Sequence, residues 1–123
     1  MGLKITGKVI FTPSVQSGGG DDSDLTIQNA TFSGNSFDVS SEDSVPQGIA
    51  FNSNGTQMFI VAADSNKVYE YVLSNGFDIT SASLSNNFDV SAEDSSARGV
   101  TFNTTGTRMY VSGASNNKVY QYN

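Results

Sequence analysis

The sequence predicts an all-β protein made of two propeller-type blades, each of four antiparallel strands, with the ring closed by association of several chains. Three observations predict it. The stretch from Phe37 to Val72 returns from Phe88 to Asn123 at a constant offset of 51 residues, without a gap and with about half of the positions identical. A repeat this regular is a structural unit. Short apolar runs alternate with turn signals about every ten residues, and none has the period of a helix. The 2 prolines, Pro13 and Pro46, both fall at segment boundaries.

The chain begins with a segment that has no copy in the repeat. In residues 1–16, Leu3, Ile5, Gly7, Val9 and Phe11 alternate with Lys4, Thr6, Lys8, Ile10 and Thr12, the period of a strand with one buried face. Pro13 stops the pattern, and Ser17-Gly18-Gly19-Gly20-Asp21-Asp22 reads as a flexible charged linker. Residues 1–20 are therefore expected to form an arm and linker, with residues 21–123 as the two-blade module. The arm, through Leu3, Ile5, Val9 and Phe11, would add a strand to another protein or to its own symmetry mates; the alternative is a first strand folded back on its own domain.

Within the repeat, residues 48–52 form strand A and residues 57–63 strand B, joined at Asn54-Gly55, a pair that suits a type I′ hairpin turn. The second copy has Thr105-Gly106 there, so its turn type is expected to differ. Residues 57–63, QMFIVAA, are apolar on both faces, as a strand sandwiched between two sheets should be. Residues 67–73 form strand C, and strand D lies within residues 81–91. Residues 31–40 match that last segment around Phe37 and Phe88 and read as one more D strand, so the chain runs D, A-B-C-D, A-B-C.

Two blades cannot close a ring that takes about four to eight. The first D strand, with Thr31, Phe32, Phe37 and Val39, complements the last C strand, with Val119, Tyr120 and Tyr122. Within one chain they would sit on opposite flanks; between chains they can meet head to tail. A dimer, trimer or tetramer would give four, six or eight blades, and a six-bladed trimer is the expected ring. The competing arrangement is a piece of a longer propeller or a shortened version of one.

Composition narrows the chemistry. The chain has no cysteine and no histidine, which removes disulfides, Ser-His-Asp and Cys-His triads and the usual zinc ligands. Carboxylate chemistry and hard-cation binding are what remain. A net charge of −6 opposes nucleic acid. No apolar run is long enough to span a bilayer, and the N-terminus lacks the apolar segment of a secretory signal. No enzymatic activity, cofactor or metal is expected.

The run Gly48-Ile49-Ala50-Phe51-Asn52-Ser53-Asn54-Gly55-Thr56, followed by Met58-Phe59-Ile60-Val61-Ala62 and Lys67-Val68-Tyr69-Glu70-Tyr71, resembles the YVTN or lactonase-like propeller repeat, and residues 99–120 match it equally. The resemblance implies a propeller blade and leaves function open. Ser53-Asn54-Gly55 and Thr104-Thr105-Gly106 stand where that family often has Pro-Asp-Gly. Phe-Asp-Val-Ser, Glu-Asp-Ser and the Ser/Asn-rich background look like repeats of phage tail-fibre and capsid-decoration proteins. That resemblance implies a virion-surface protein whose arm grips a shell or tail.

Glu42, Asp43, Glu93 and Asp94 lie in the D-to-A connections. Copied around a ring, they form a carboxylate rim suited to Ca²⁺ or sugar hydroxyls, or one that merely caps loops. Phe51, Met58, Val68 and Tyr69, with Phe102, Met109, Val119 and Tyr120, read as core between blades. Tyr71 and Tyr122 read as outer-strand residues with wet hydroxyls, open to a glycan. Functionally, the sequence points first to a trimeric virion knob and second to a glycan-binding adhesion module; a lactonase-like enzyme would need a carboxylate-only site.

Overall fold

The computed structural model describes residues 27–123. By its contacts the chain divides into two compact units, residues 1–34 and 35–123. Leu3, Ile5, Val9 and Phe11, and the expected boundary after residue 20, lie outside the described residues. What is described of the first unit is a 3-10 turn, Ile27–Asn29, and coil up to Gly34, which holds φ at 94°. Ile27 and Phe32 are exposed there.

The second unit is all-β. Strands β1 (Pro46–Phe51), β2 (Gln57–Ala62), β3 (Lys67–Leu73) and β4 (Ala82–Asp89) form one antiparallel sheet in chain order. Strands β5 (Ala97–Phe102), β6 (Met109–Gly113) and β7 (Lys118–Tyr122) form a second, three-stranded sheet. A 3-10 turn, Ile79–Ser81, precedes β4, with the Thr80 amide capped by the Asp78 carboxylate.

Side-chain alternation gives each sheet two faces. Met58, Ile60, Ala62, Tyr69, Tyr71 and Leu73 form a buried cluster on one face of the first sheet, with Phe37, Val39, Ile79 and Ala82 packed against it. Val61 and Val68 point the other way and share a second cluster with Val90, Ala97, Val100 and Val111. The second sheet therefore lies on the back of the first. Phe59 and Phe102 meet across the seam with ring centroids 4.3 Å apart. Both rings are half-buried, so each adds part of what full burial is worth, about 1.5–3 kcal/mol, to holding one sheet on the other along this seam. At its inner end the backbones of β1 and β5 approach closely: a Cβ on Gly48 would sit 2.9 Å from the Arg98 carbonyl oxygen.

The hairpins repeat closely, and the β1–β2 turn departs from the expected one. A type I′ turn needs positive φ at both central residues, but in this turn only Gly55, at 72°, has it. The Asn52 side chain organises the loop instead. Its Oδ1 accepts the Gln57 amide at 3.0 Å, and its Nδ2 donates to the Thr56 hydroxyl at 3.1 Å. Asn103 does the same in the second sheet, accepting the Thr107 and Arg108 amides at 2.8 and 3.0 Å. The two turns are thus alike, despite the change of Asn54 to Thr105. Asn66 and Asn117, at φ 54° and 56°, close the β2–β3 and β6–β7 turns.

Residues 31–40, expected as a D strand, contain no strand. A strand is defined by its hydrogen-bonded neighbour, and no edge within the second unit pairs with residues 35–40. Phe37 and Val39 instead pack on the front cluster of the first sheet.

Candidate functional site

The D-to-A connections hold the carboxylates that the sequence singles out, and the structure brings each pair into the same network. Val39 and Val90 start identical turns: Glu42 and Asp43 donate their amides to the Val39 carbonyl, as Glu93 and Asp94 do to Val90. The turn carries the aspartate inward. Asp43 is 7% and Asp94 3% exposed.

Inside, each aspartate ties its loop to the neighbouring hairpin. Asp43 accepts the Val45 amide at 2.7 Å and, across the loop, the Ser65 amide at 2.7 Å. Asp94 accepts the Ser96, Ser115 and Asn116 amides at 2.8, 3.1 and 2.9 Å. Burial pushes both carboxyls up, but the hydrogen bonds outweigh it and hold both below the usual carboxylate range. Both oxygens of each carboxylate are thus held by backbone donors that tie the loop together.

The glutamates are taken by tyrosines. Tyr71 donates its hydroxyl to Glu42 at 2.9 Å, and Tyr122 to Glu93 at 3.0 Å. Tyr69 donates to the Glu42 carbonyl at 3.0 Å. Burial, followed by the bond to the glutamate and its negative charge, raises both tyrosines, Tyr122 to about 12. Tyr71 is buried, contrary to the expected wet hydroxyl, with the Phe37 ring edge-on at 5.3 Å; Phe88 stands on Tyr122 in the same way at 5.3 Å. Among the described residues no group of three or more acidic side chains is placed to hold a metal ion.

The expected ring-closing residues fall in distinct environments. Phe37 and Val39 are half-buried on the first sheet, Thr31 and Phe32 are exposed, and Tyr120 and Tyr122 are half-buried. Of the expected core residues, Met58, Val68 and Tyr69 are buried and Phe51, Phe102, Met109 and Tyr120 half-buried. Val119 departs from that expectation at 69% exposed, where its counterpart Val68 is 3% exposed. The reason is the neighbour: Val68 faces the second sheet, and within residues 35–123 no sheet stands behind Val119.

A groove of about 650 Å³ opens along the seam, floored by Phe88, Phe102, Met109 and Tyr122 and flanked by Asn86 and Arg108. Its aromatic residues look like ordinary core in the sequence, and only the stacking of the sheets exposes their edges together.

No protein-family model and no curated protein matches the chain. The two antiparallel sheets and their repeated contacts therefore carry the functional argument alone.

Proposed function

We propose that the chain is a non-enzymatic structural protein of a phage virion, a propeller knob of capsid-decoration or tail-fibre type. Its two sheets act as blades, a ring of chains completes the propeller, and the N-terminal arm holds the knob to a shell or tail protein. The ring is trimeric and six-bladed. It works on the virion surface without cofactor, metal, nucleic acid or membrane insertion.

The observation that carries this reading is the inequality of the two sheets. The first has four strands and a second sheet stacked on its back; the second has three strands, with β7 at an edge where the first sheet carries a fourth strand, and Val119 exposed. A second copy offers what the three-stranded sheet lacks. The capture of the rim carboxylates by backbone amides and tyrosines also favours a structural role over chemistry.

Native mass by light scattering, on the full chain and on one lacking residues 1–20, tests the reading. Three chains in both samples support it; a single chain in both overturns it.

A glycan-binding adhesion module is the second reading, favoured by the seam groove, where aromatic edges lie beside the Asn86 side chain. Aromatic faces take sugar C–H surfaces and amides take hydroxyls. Binding to immobilised glycans that disappears in Asn86→Ala would support it.

A further inference from the structure

We infer that the open edge of β7 pairs with residues 31–38 of a second copy of this chain, in the register that β3 and β4 use within one chain. The inference rests on the ring reading and names its joint. In the first sheet Lys67 stands opposite Asp89, Val68 opposite Phe88, Tyr69 opposite Asn87 and Glu70 opposite Asn86. Moved forward by the repeat offset, that edge is Lys118, Val119, Tyr120 and Gln121; moved back, its partner is Asp38, Phe37, Ser36 and Asn35. Lys118 and Asp38 restore the charge pair, and Val119 and Phe37 the apolar pair that Val68 and Phe88 make.

The irregularities leave room for the same register. Ser85 is skipped between the pairs Glu70–Asn86 and Tyr71–Leu84, a β-bulge. Its counterpart is Gly34, which has open space around it; its φ of 94° is not that of Ser85, which has no positive φ, and glycine is free to change it on pairing. Beyond the strand, Val90 donates its amide to the Asn66 carbonyl at 3.0 Å. Asn117 has the same left-handed backbone as Asn66, which places its carbonyl to receive Val39 of the second copy.

Pairing within one chain is ruled out by the faces. Phe37 packs on Tyr71 at the front of the first sheet, whereas β7 belongs to the sheet on its back. The segment preceding residues 31–38 also has a destination. In the first sheet Phe77 covers Gly55, and Ile79 and Ala82 pack over the cluster holding Met58 and Tyr71. Their counterparts Gly106, Met109 and Tyr122 line the seam groove. At the repeat offset Phe77, Ile79 and Ala82 correspond to Thr26, Gln28 and Thr31, so the same path in a second copy brings polar side chains over the groove.

The chain has no cysteine, so a designed pair reports the register cleanly. Cα atoms directly opposite on antiparallel strands lie about 4.5–5.5 Å apart, within disulfide reach. Asn35→Cys with Gln121→Cys should cross-link chains into covalent multimers that reductant dissolves. Ser36→Cys with Gln121→Cys, one residue out of register and on the opposite face, should not. A protein of several chains in which the first pair fails to cross-link, or in which both pairs cross-link equally, overturns the register and leaves the ring standing. A single-chain native mass overturns the ring reading, and this inference with it.

Discussion

Val68 and Val119 occupy the same position of the repeat, yet one is 3% and the other 69% exposed. The same contrast runs through the pairs Gly55 and Gly106, Met58 and Met109, and Tyr71 and Tyr122: the first member is buried, the second exposed or half-buried. Local structure does not explain this, because the hairpins, the Asn-centred turns and the aspartate clamps are alike in both copies. The difference teaches that the repeat encodes its own strands and turns but leaves its cover to a neighbour. In the first copy that cover is partly the chain that follows and the sheet behind.

The contrast can be broken by matched substitutions. Tyr71→Ala removes a buried ring, the Phe37 contact and the hydroxyl bond to Glu42, and should cost about 3–5 kcal/mol in denaturant unfolding. Tyr122→Ala, half-buried, should cost clearly less in the isolated chain. Equal losses would mean that the second sheet is as well covered as the first.

Valine gives a cleaner pair. Val68→Ala should cost about 2 kcal/mol from lost burial. Val119→Ala should stay within about 0.5 kcal/mol in the isolated chain and show itself as weaker association on dilution. Glycine sharpens the same point. Alanine at Gly106 meets open space, so only its φ of 71° counts, about 1–2 kcal/mol. Alanine at Gly55 meets the Phe77 ring as well, and its thermal midpoint should fall further.

The smallest effects appear in the pH profile. Asp43 and Asp94 are depressed from 3.8, so their contribution is present above about pH 4 and is lost as pH falls through the lower folded values. Tyr71 and Tyr122 are raised from 10.0, so theirs is present below pH 10 and lost as pH climbs, for Tyr122 through about 12. Unfolding midpoints followed by circular dichroism should therefore be flat between about pH 4 and 10 on these groups' account and drop on both sides. A drop centred near pH 6 would contradict the clamp.

The strands were legible because the repeat fixed their order and the alternation of apolar residues fixed their faces; β3 runs over Lys67–Leu73 as its pattern predicts. The turn was misread because Asn54-Gly55 is a strong local signal, while the controlling bond comes from Asn52, beside the strand end. Glu42-Asp43 and Glu93-Asp94 read as a rim because sequence shows charge but not which distant amides will need an acceptor. Ser65 and Asn116 lie more than twenty residues from the carboxylates they bind. The D strand expected in residues 31–40 failed for a different reason. Its sequence is strand-like, but a strand also needs an edge, and no strand within residues 35–123 pairs with residues 35–40.

Hydrogen–deuterium exchange of the β7 backbone amides in the native particle tests the proposed joint between copies most directly. If a second copy pairs with β7, the outward amides of Lys118–Tyr122 should be protected as strongly as those of Lys67–Leu73, which has a strand on each side. Rapid exchange along one side of β7, with Lys67–Leu73 fully protected, would contradict the account and leave the second sheet with a bare edge.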